Sequence, residues 1–175
     1  MYHCGREHSI DTGDARPLKA KNYRMSEKGH EVMDHECEQM LKKGVIRKSF
    51  SPWCSPVLLV TKKNDEVHFS VDYRRLNAVT IKDSYPLPCI EDTLSTLGGC
   101  SQFSAFDLAA GFWQTPVKEE DKEKTAFATR GGLYEFNVMP FGLCNGPGTF
   151  ERMMEQDWYC AASTGSCASY ISMTS

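Results

Sequence analysis

A chain of 175 residues and 19.7 kDa, 41% hydrophobic and 11% aromatic, is long enough to bury one core or two small lobes and is composed like a globular protein. A formal net charge of -3 and a pI near 6.0 exclude a surface that is everywhere an electrostatic trap for nucleic acid, although local basic patches remain open. The eight cysteines, at 4, 37, 54, 89, 100, 144, 160 and 167, include no C-x-x-C pair, which argues against a zinc knuckle or dithiol site and for scattered free thiols. No apolar h-region follows Met1, and no run approaches the roughly 18 apolar residues of a membrane span. The expected location is therefore intracellular and cytoplasmic, with no membrane partner.

Residues 8 to 25 carry Gly13, Pro17 and several charges without periodicity and read as an extended lead-in. A helix starts near Ser26, places Met33, Cys37, Met40 and Leu41 on one face, and ends at Gly44 after Lys42 and Lys43. Ser51-Pro52-Trp53-Cys54-Ser55-Pro56 is kept extended by its prolines. Val57 to Thr61, a polar tip from Lys62 to Glu66, and alternating Val67, Phe69 and Val71 then predict a β-hairpin.

After Tyr85-Pro86-Leu87-Pro88, the spacing of Ile90, Leu94 and Leu97 predicts a short helix closed by Gly98-Gly99. Alternation of Gln102, Phe103, Ser104 and Ala105 then argues a half-buried strand. That strand aims Asp107 at a turn of small residues, Ala109, Ala110 and Gly111, where a bulky substrate can approach the backbone. A carboxylate there suits a metal or, more simply, the cap of a following helix. Lys118 to Lys124 reads as a solvated mixed-charge turn or helix. Thr125 to Thr129 and Leu133 to Phe136 form a second hairpin around Gly131-Gly132. Pro147 opens a last helix whose apolar face holds Phe150, Met153 and Met154, and the stretch beyond it, rich in Ser, Ala, Thr and Gly, is expected to be disordered.

Several runs, weak singly, stand in one order: His8-Ser-Ile-Asp-Thr-Gly-Asp-Ala-Arg-Pro17, Gly44-Val-Ile-Arg47, Ser51-Pro-Trp-Cys-Ser-Pro-Val57, Val71-Asp-Tyr-Arg-Arg-Leu-Asn77, Tyr85-Pro-Leu-Pro88, Phe106-Asp-Leu108, Lys124-Thr-Ala-Phe127, Tyr134-Glu-Phe136 and Met139-Pro-Phe-Gly-Leu-Cys-Asn145. Together, over residues 8 to 156, they resemble the reverse transcriptase of gypsy-type LTR retrotransposons. The resemblance implies an α+β fold, the fingers and partial palm of a right-hand polymerase. Its parts would be a lead-in at 1–24, fingers at 25–81, palm at 82–116, a fingers return hairpin at 117–140, a palm helix at 141–157 and a divergent tail at 158–175.

The same resemblance implies RNA-directed DNA synthesis on a primed RNA or DNA template from deoxynucleoside triphosphates, in the cytoplasm or in virus-like particles, with a two-ion magnesium site. Asp107 and the main-chain carbonyl of Leu108 would be metal ligands, Asp107 being the catalytic carboxylate. Phe112 would be the steric gate against a 2′-hydroxyl, with Ala110 and Gly111 shaping the pocket and Phe141 and Gly142 over base and template. Lys62, Lys63 and His68 would meet the triphosphate, and Asp72, Arg74 and Arg75 the nucleic acid. His68 stands where the family usually has arginine, whose planar fork grips phosphate better.

The family's Tyr-x-Asp-Asp hairpin, source of the remaining carboxylates, does not occur in this sequence. One carboxylate cannot hold two divalent cations in line, so the chain alone is expected not to polymerise. Three other readings compete with it. A non-catalytic nucleic-acid-binding remnant would use Lys42, Lys43, Arg47, Lys48, Lys62, Lys63, Arg74 and Arg75 on phosphates. The functionless product of a decayed or frame-shifted element is favoured by the abrupt change of composition after Gln156. An aspartic protease fragment would use Asp11-Thr12-Gly13, a three-letter match in a polar setting.

Overall fold

Ser26 accepts the amide of Gly29 on its hydroxyl and so starts α1, Glu27–Lys42, in the computed structural model, which describes residues 7–61, 67–87, 89, 91, 95, 101 and 110–162. Such a cap is worth about 1 kcal/mol. Met33, Cys37 and Met40, at i, i+4 and i+7, form the buried stripe of α1, which packs on strands β1, Ile46–Lys48, β3, Val67–Val71, and β4, Phe127–Thr129.

Two antiparallel sheets follow from the alternating segments. Strand β2, Val57–Thr61, pairs with β3 in the register Val57↔Val71 and Leu59↔Phe69, the hairpin expected from the sequence. In the other sheet β5, Gly132–Phe136, lies between β1 and β4, with Ile46 opposite Phe136 and Phe127 opposite Tyr134. Phe127 is fully buried at the junction, its ring 5.4 Å from Phe69, 5.9 Å from Tyr134 and 5.3 Å from Phe136. Aromatic pairs of this kind add about 0.5–1.5 kcal/mol each beyond their buried area.

Two elements are additional to those expected. Strand β1 is three residues long, and helix α2, Arg74–Val79, is a turn and a half with only Leu76 buried. The 3-10 segment Glu119–Thr125 corrects the reading of Lys118 to Lys124 as merely solvated, because Asp121 and Thr125 are buried in it. The last helix, α3, Gly146–Ala162, begins with Pro147 in its first turn and continues past position 157. Of the helix expected around Ile90 to Leu97, only Glu91 and Ser95 are described; both are helical, and the Ser95 hydroxyl donates to the Glu91 carbonyl.

The lead-in is extended but built into the core. His8 bridges Val117, with its amide on the Pro116 carbonyl and its own carbonyl taking the Lys118 amide, and Lys19 bridges Cys54. Ile10 is buried against the Glu119–Thr125 segment. The mixture of helix and sheet is the α+β class expected. Among the described residues no helix is long and apolar enough to cross a membrane.

Candidate nucleotide and nucleic-acid site

Ala110 is the one non-glycine residue at positive φ among the described residues, with φ 52 and ψ 48. A methyl-bearing residue there costs about 1 kcal/mol or more, and the turn it makes throws the chain into a 3-10 segment, Gly111–Gln114. That turn presents Phe112 as a half-buried ring, 4.9 Å from Phe141 at an interplanar angle of 31° and 5.2 Å from Phe150 of α3 in an edge contact. Phe150 is buried and cannot yield, whereas Phe141 keeps 48% of its surface exposed. Beside it Gly142 adopts φ +90 and runs close to the ring of Tyr73 and the carbonyl of Val71. The result is a cluster of three aromatic rings, of which Phe141 is the exposed member.

Tyr73 and Val71 flank Asp72, which belongs to a second feature, an open cleft of about 470 Å³ lined by Lys21, Tyr23, Asp72, Arg74, Arg75 and Ala78. Asp72 grips Arg74 in a two-pronged pair, Nε to Oδ1 at 2.8 Å and Nη2 to Oδ2 at 2.7 Å, and also accepts the Arg74 amide and the Tyr23 hydroxyl. The Arg74 guanidinium holds the Asp72 carboxyl well below the usual carboxylate range, and the same contact raises Arg74. The pair orients an exposed cation without burying it. Arg75 is exposed beside it.

The structure thus brings Ala110, Gly111 and Phe112 together with Phe141 and Gly142, and Asp72 together with Arg74 and Arg75. The backbone of His68 lies in β3 opposite Val60. Asp107, Leu108, Lys62 and Lys63 lie outside the described residues. Among the described residues there is no group of three or more His, Cys, Asp or Glu side chains that could hold a metal ion. A carboxylate and a main-chain carbonyl are the hard oxygen donors that magnesium takes, so Asp107 and Leu108 fit the ion chemically as part of a coordination shell.

Other assignments change. Arg47 is paired with Glu135 at 2.7 Å and Glu119 at 2.6 Å, so it is a poorer phosphate ligand than its charge suggests. Asp11 accepts the amide of Gly13, whose φ is +50, on one carboxylate oxygen in a local turn. Sequence reasoning missed Lys21 and Tyr23, which share the cleft with Arg74 only through the tertiary fold. It also missed Asn77 and Asn145, which tie the Phe141 loop to its neighbours.

Residues 60–157 match the family described as reverse transcriptase (RNA-dependent DNA polymerase). The chain belongs to the reverse transcriptase family. Its relatives include the Pol polyproteins of two Drosophila melanogaster transposons, 40% identical over 153 residues for transposon 297 and 38% over 153 residues for gypsy. Those alignments cover 85% and 84% of this chain but only 14% and 15% of the polyproteins, so the chain is a segment's worth of a gypsy-type reverse transcriptase. A foamy viral protease-reverse transcriptase solved in complex with an RNA/DNA hybrid shares the fold, with a TM-score of 0.71 over 91% of this chain and 21% of that one, at 22% identity.

Proposed function

We propose that residues 8 to 156 serve as the fingers and leading part of the palm of an RNA-directed DNA polymerase, with 25–81 and 117–140 as fingers and 82–116 and 141–157 as palm. The observation that carries the reading is the stacking of Phe112 on Phe141 at 4.9 Å beside Gly142, since the family resemblance assigns all three to one nucleotide pocket. A Phe112 ring backed by the buried Phe150 would collide with a 2′-hydroxyl, which would select deoxynucleotides by collision rather than by an added contact. Ala110 and Gly111 shape the floor of the pocket, and Lys62, Lys63 and His68 meet the triphosphate.

The cleft of Lys21, Tyr23, Arg74 and Arg75 combines cations for phosphates with an exposed aromatic face, the combination that holds a single strand. That a foamy viral enzyme of like fold was solved in complex with an RNA/DNA hybrid supports nucleic acid as the partner. Reverse transcriptases generally use divalent metal ions; here Asp107 and the Leu108 carbonyl would ligate magnesium, which supplies charge neutralisation at the attacking and leaving oxygens.

The test is complementation. The full chain alone should give no magnesium-dependent extension of a primed RNA template. Mixed with a palm and thumb fragment of a relative that carries Tyr-x-Asp-Asp, it should extend the primer, and Asp107→Asn should abolish that extension. Extension that survives Asp107→Asn would overturn the reading. Phe112→Val in the complemented enzyme should raise ribonucleotide use relative to deoxynucleotide by roughly tenfold to a hundredfold. The alternative, a non-catalytic nucleic-acid-binding chain, draws on the cleft, which needs no metal to bind phosphates; it expects salt-sensitive binding without magnesium and no complementation.

A further inference from the structure

Two asparagines hold the loop that carries Phe141 and Gly142. From α2, Asn77 donates Nδ2 to the Gly142 carbonyl at 2.8 Å and accepts the Cys144 amide on Oδ1 at 3.0 Å. Asn145 does the converse from within the loop, donating Nδ2 to the Ile81 carbonyl at 2.9 Å and accepting the Asp83 amide at 3.1 Å. The Asn145 carbonyl in turn accepts the amide and hydroxyl of Thr149 in the first turn of α3. Between these anchors Gly142 is held at φ +90.

We propose that Asn77 is a positioning residue of the nucleotide pocket: by bridging Gly142 and Cys144 it holds the Phe141 ring against Phe112 and so fixes the aromatic surface against which the sugar and base of a deoxynucleotide rest. The inference rests on the pocket reading given above. Its chemistry is specific to the side chain. The contact needs one donor and one acceptor on a short, planar group, which asparagine has and aspartate lacks, since a carboxylate would face the Gly142 carbonyl oxygen to oxygen. Alanine would release both backbone groups. The side-chain partners of Asn77 are the backbone groups of Gly142 and Cys144, so its effect on nucleotide would travel through the loop that carries the Phe141 ring.

Nuclear magnetic resonance on the full chain, with its phenylalanine rings labelled, tests this directly. Asn77→Ala should speed exchange of the Cys144 amide at least tenfold and weaken the cross peak between Phe112 and Phe141, while the Phe127 to Tyr134 contact in the β4–β5 hairpin persists. Asn77→Asp should keep the Cys144 amide protected yet still weaken the ring contact, a split that general destabilisation would not produce. An unchanged ring contact in both variants, or a uniform loss across both sheets in both, would overturn the proposal. The nucleotide arm uses dTTP with magnesium, which should shift both ring signals in the unaltered chain and bind at least tenfold more weakly to Asn77→Ala. If dTTP moves neither ring of the unaltered chain, the pocket reading and the nucleotide role of Asn77 fail together. If dTTP moves them and Asn77→Ala binds as well as the parent, only the positioning role fails.

Discussion

The carboxylate of Asp121 accepts the amide of Ile10 at 2.9 Å, while Lys124, paired with that carboxylate at 2.7 Å, donates to the Ile10 carbonyl at 2.6 Å. Both main-chain groups of one lead-in residue are thereby satisfied by one ion pair, and Asp121 is only 4% exposed. Asp121→Ala strands a buried amide and leaves the mostly buried Lys124 ammonium without its counter-charge, held by the Ile10 carbonyl alone. It should cost about 3 kcal/mol, read as a lower urea midpoint at constant slope. Asp121→Asn, which keeps an acceptor for Ile10, should cost less.

His8 is 1% exposed, with Nδ1 2.9 Å from the Thr149 hydroxyl, and burial lowers its pKa to about 4 against the opposing pull of Asp121. The folded state therefore refuses a proton that the unfolded chain accepts below its ordinary value of about 6.5. Unfolding then binds protons, so this contribution is intact above about pH 6.5, declines as pH falls, and is gone near pH 4. The loss amounts to about 3 kcal/mol. Urea titrations between pH 7 and 4 should show this decline, and His8→Gln should flatten it relative to the parent.

At Gly142 space is not the obstacle, since an added Cβ would stand 3.7 Å from both Tyr73 and the Val71 carbonyl. The backbone is, because φ +90 is a conformation that L side chains rarely adopt. Gly142→Ala should cost about 1–2 kcal/mol in thermal unfolding. At Gly44, whose φ is +70 with open space around it, alanine should cost a similar amount while leaving the Phe112 to Phe141 contact intact, a separation that fluorescence or NMR can read.

Arg74 and Arg75 differ in what their loss removes. Arg75→Ala should weaken binding of single-stranded nucleic acid evenly across sequences and reduce the salt slope by about 1. Arg74→Ala also leaves the Asp72 carboxylate at the cleft without its counter-charge, so the loss should be larger at low salt. Tyr23→Ala should cost about 1–3 kcal/mol if a base stacks there, with the salt slope unchanged. Filter binding over a range of potassium chloride concentrations separates the three.

What could be read without coordinates was whatever local pattern determines. Ser26, Met33, Cys37 and Met40 announce α1 because a cap and a helical stripe are properties of adjacent residues. The alternation of Val67, Phe69 and Val71 against Val57 to Thr61 announces a hairpin for the same reason. Helix α2 gave no such signal, being too short to show a stripe, and β1 is three residues whose pairing partner lies far along the chain. Asp121 looked solvated because a charged run reads alike whether or not one member turns inward to meet Ile10. The ordered motifs of a known family singled out Phe112 and Phe141, which the fold brings into contact, whereas Asn77 carried no such mark, since its partners Gly142 and Cys144 adjoin it only once the chain has folded.

The order of strands in the three-stranded sheet has a bearing on biosynthesis. β5, which lies in the middle, is the last of the three to be translated, and β1, the first, has β5 as its one strand neighbour among the described residues. A growing polypeptide must therefore carry Ile46 to Lys48 with open hydrogen-bonding edges until Gly132 to Phe136 has left the ribosome. A premature stop anywhere between them would release a chain unable to close its own sheet, prone to pair with its siblings instead.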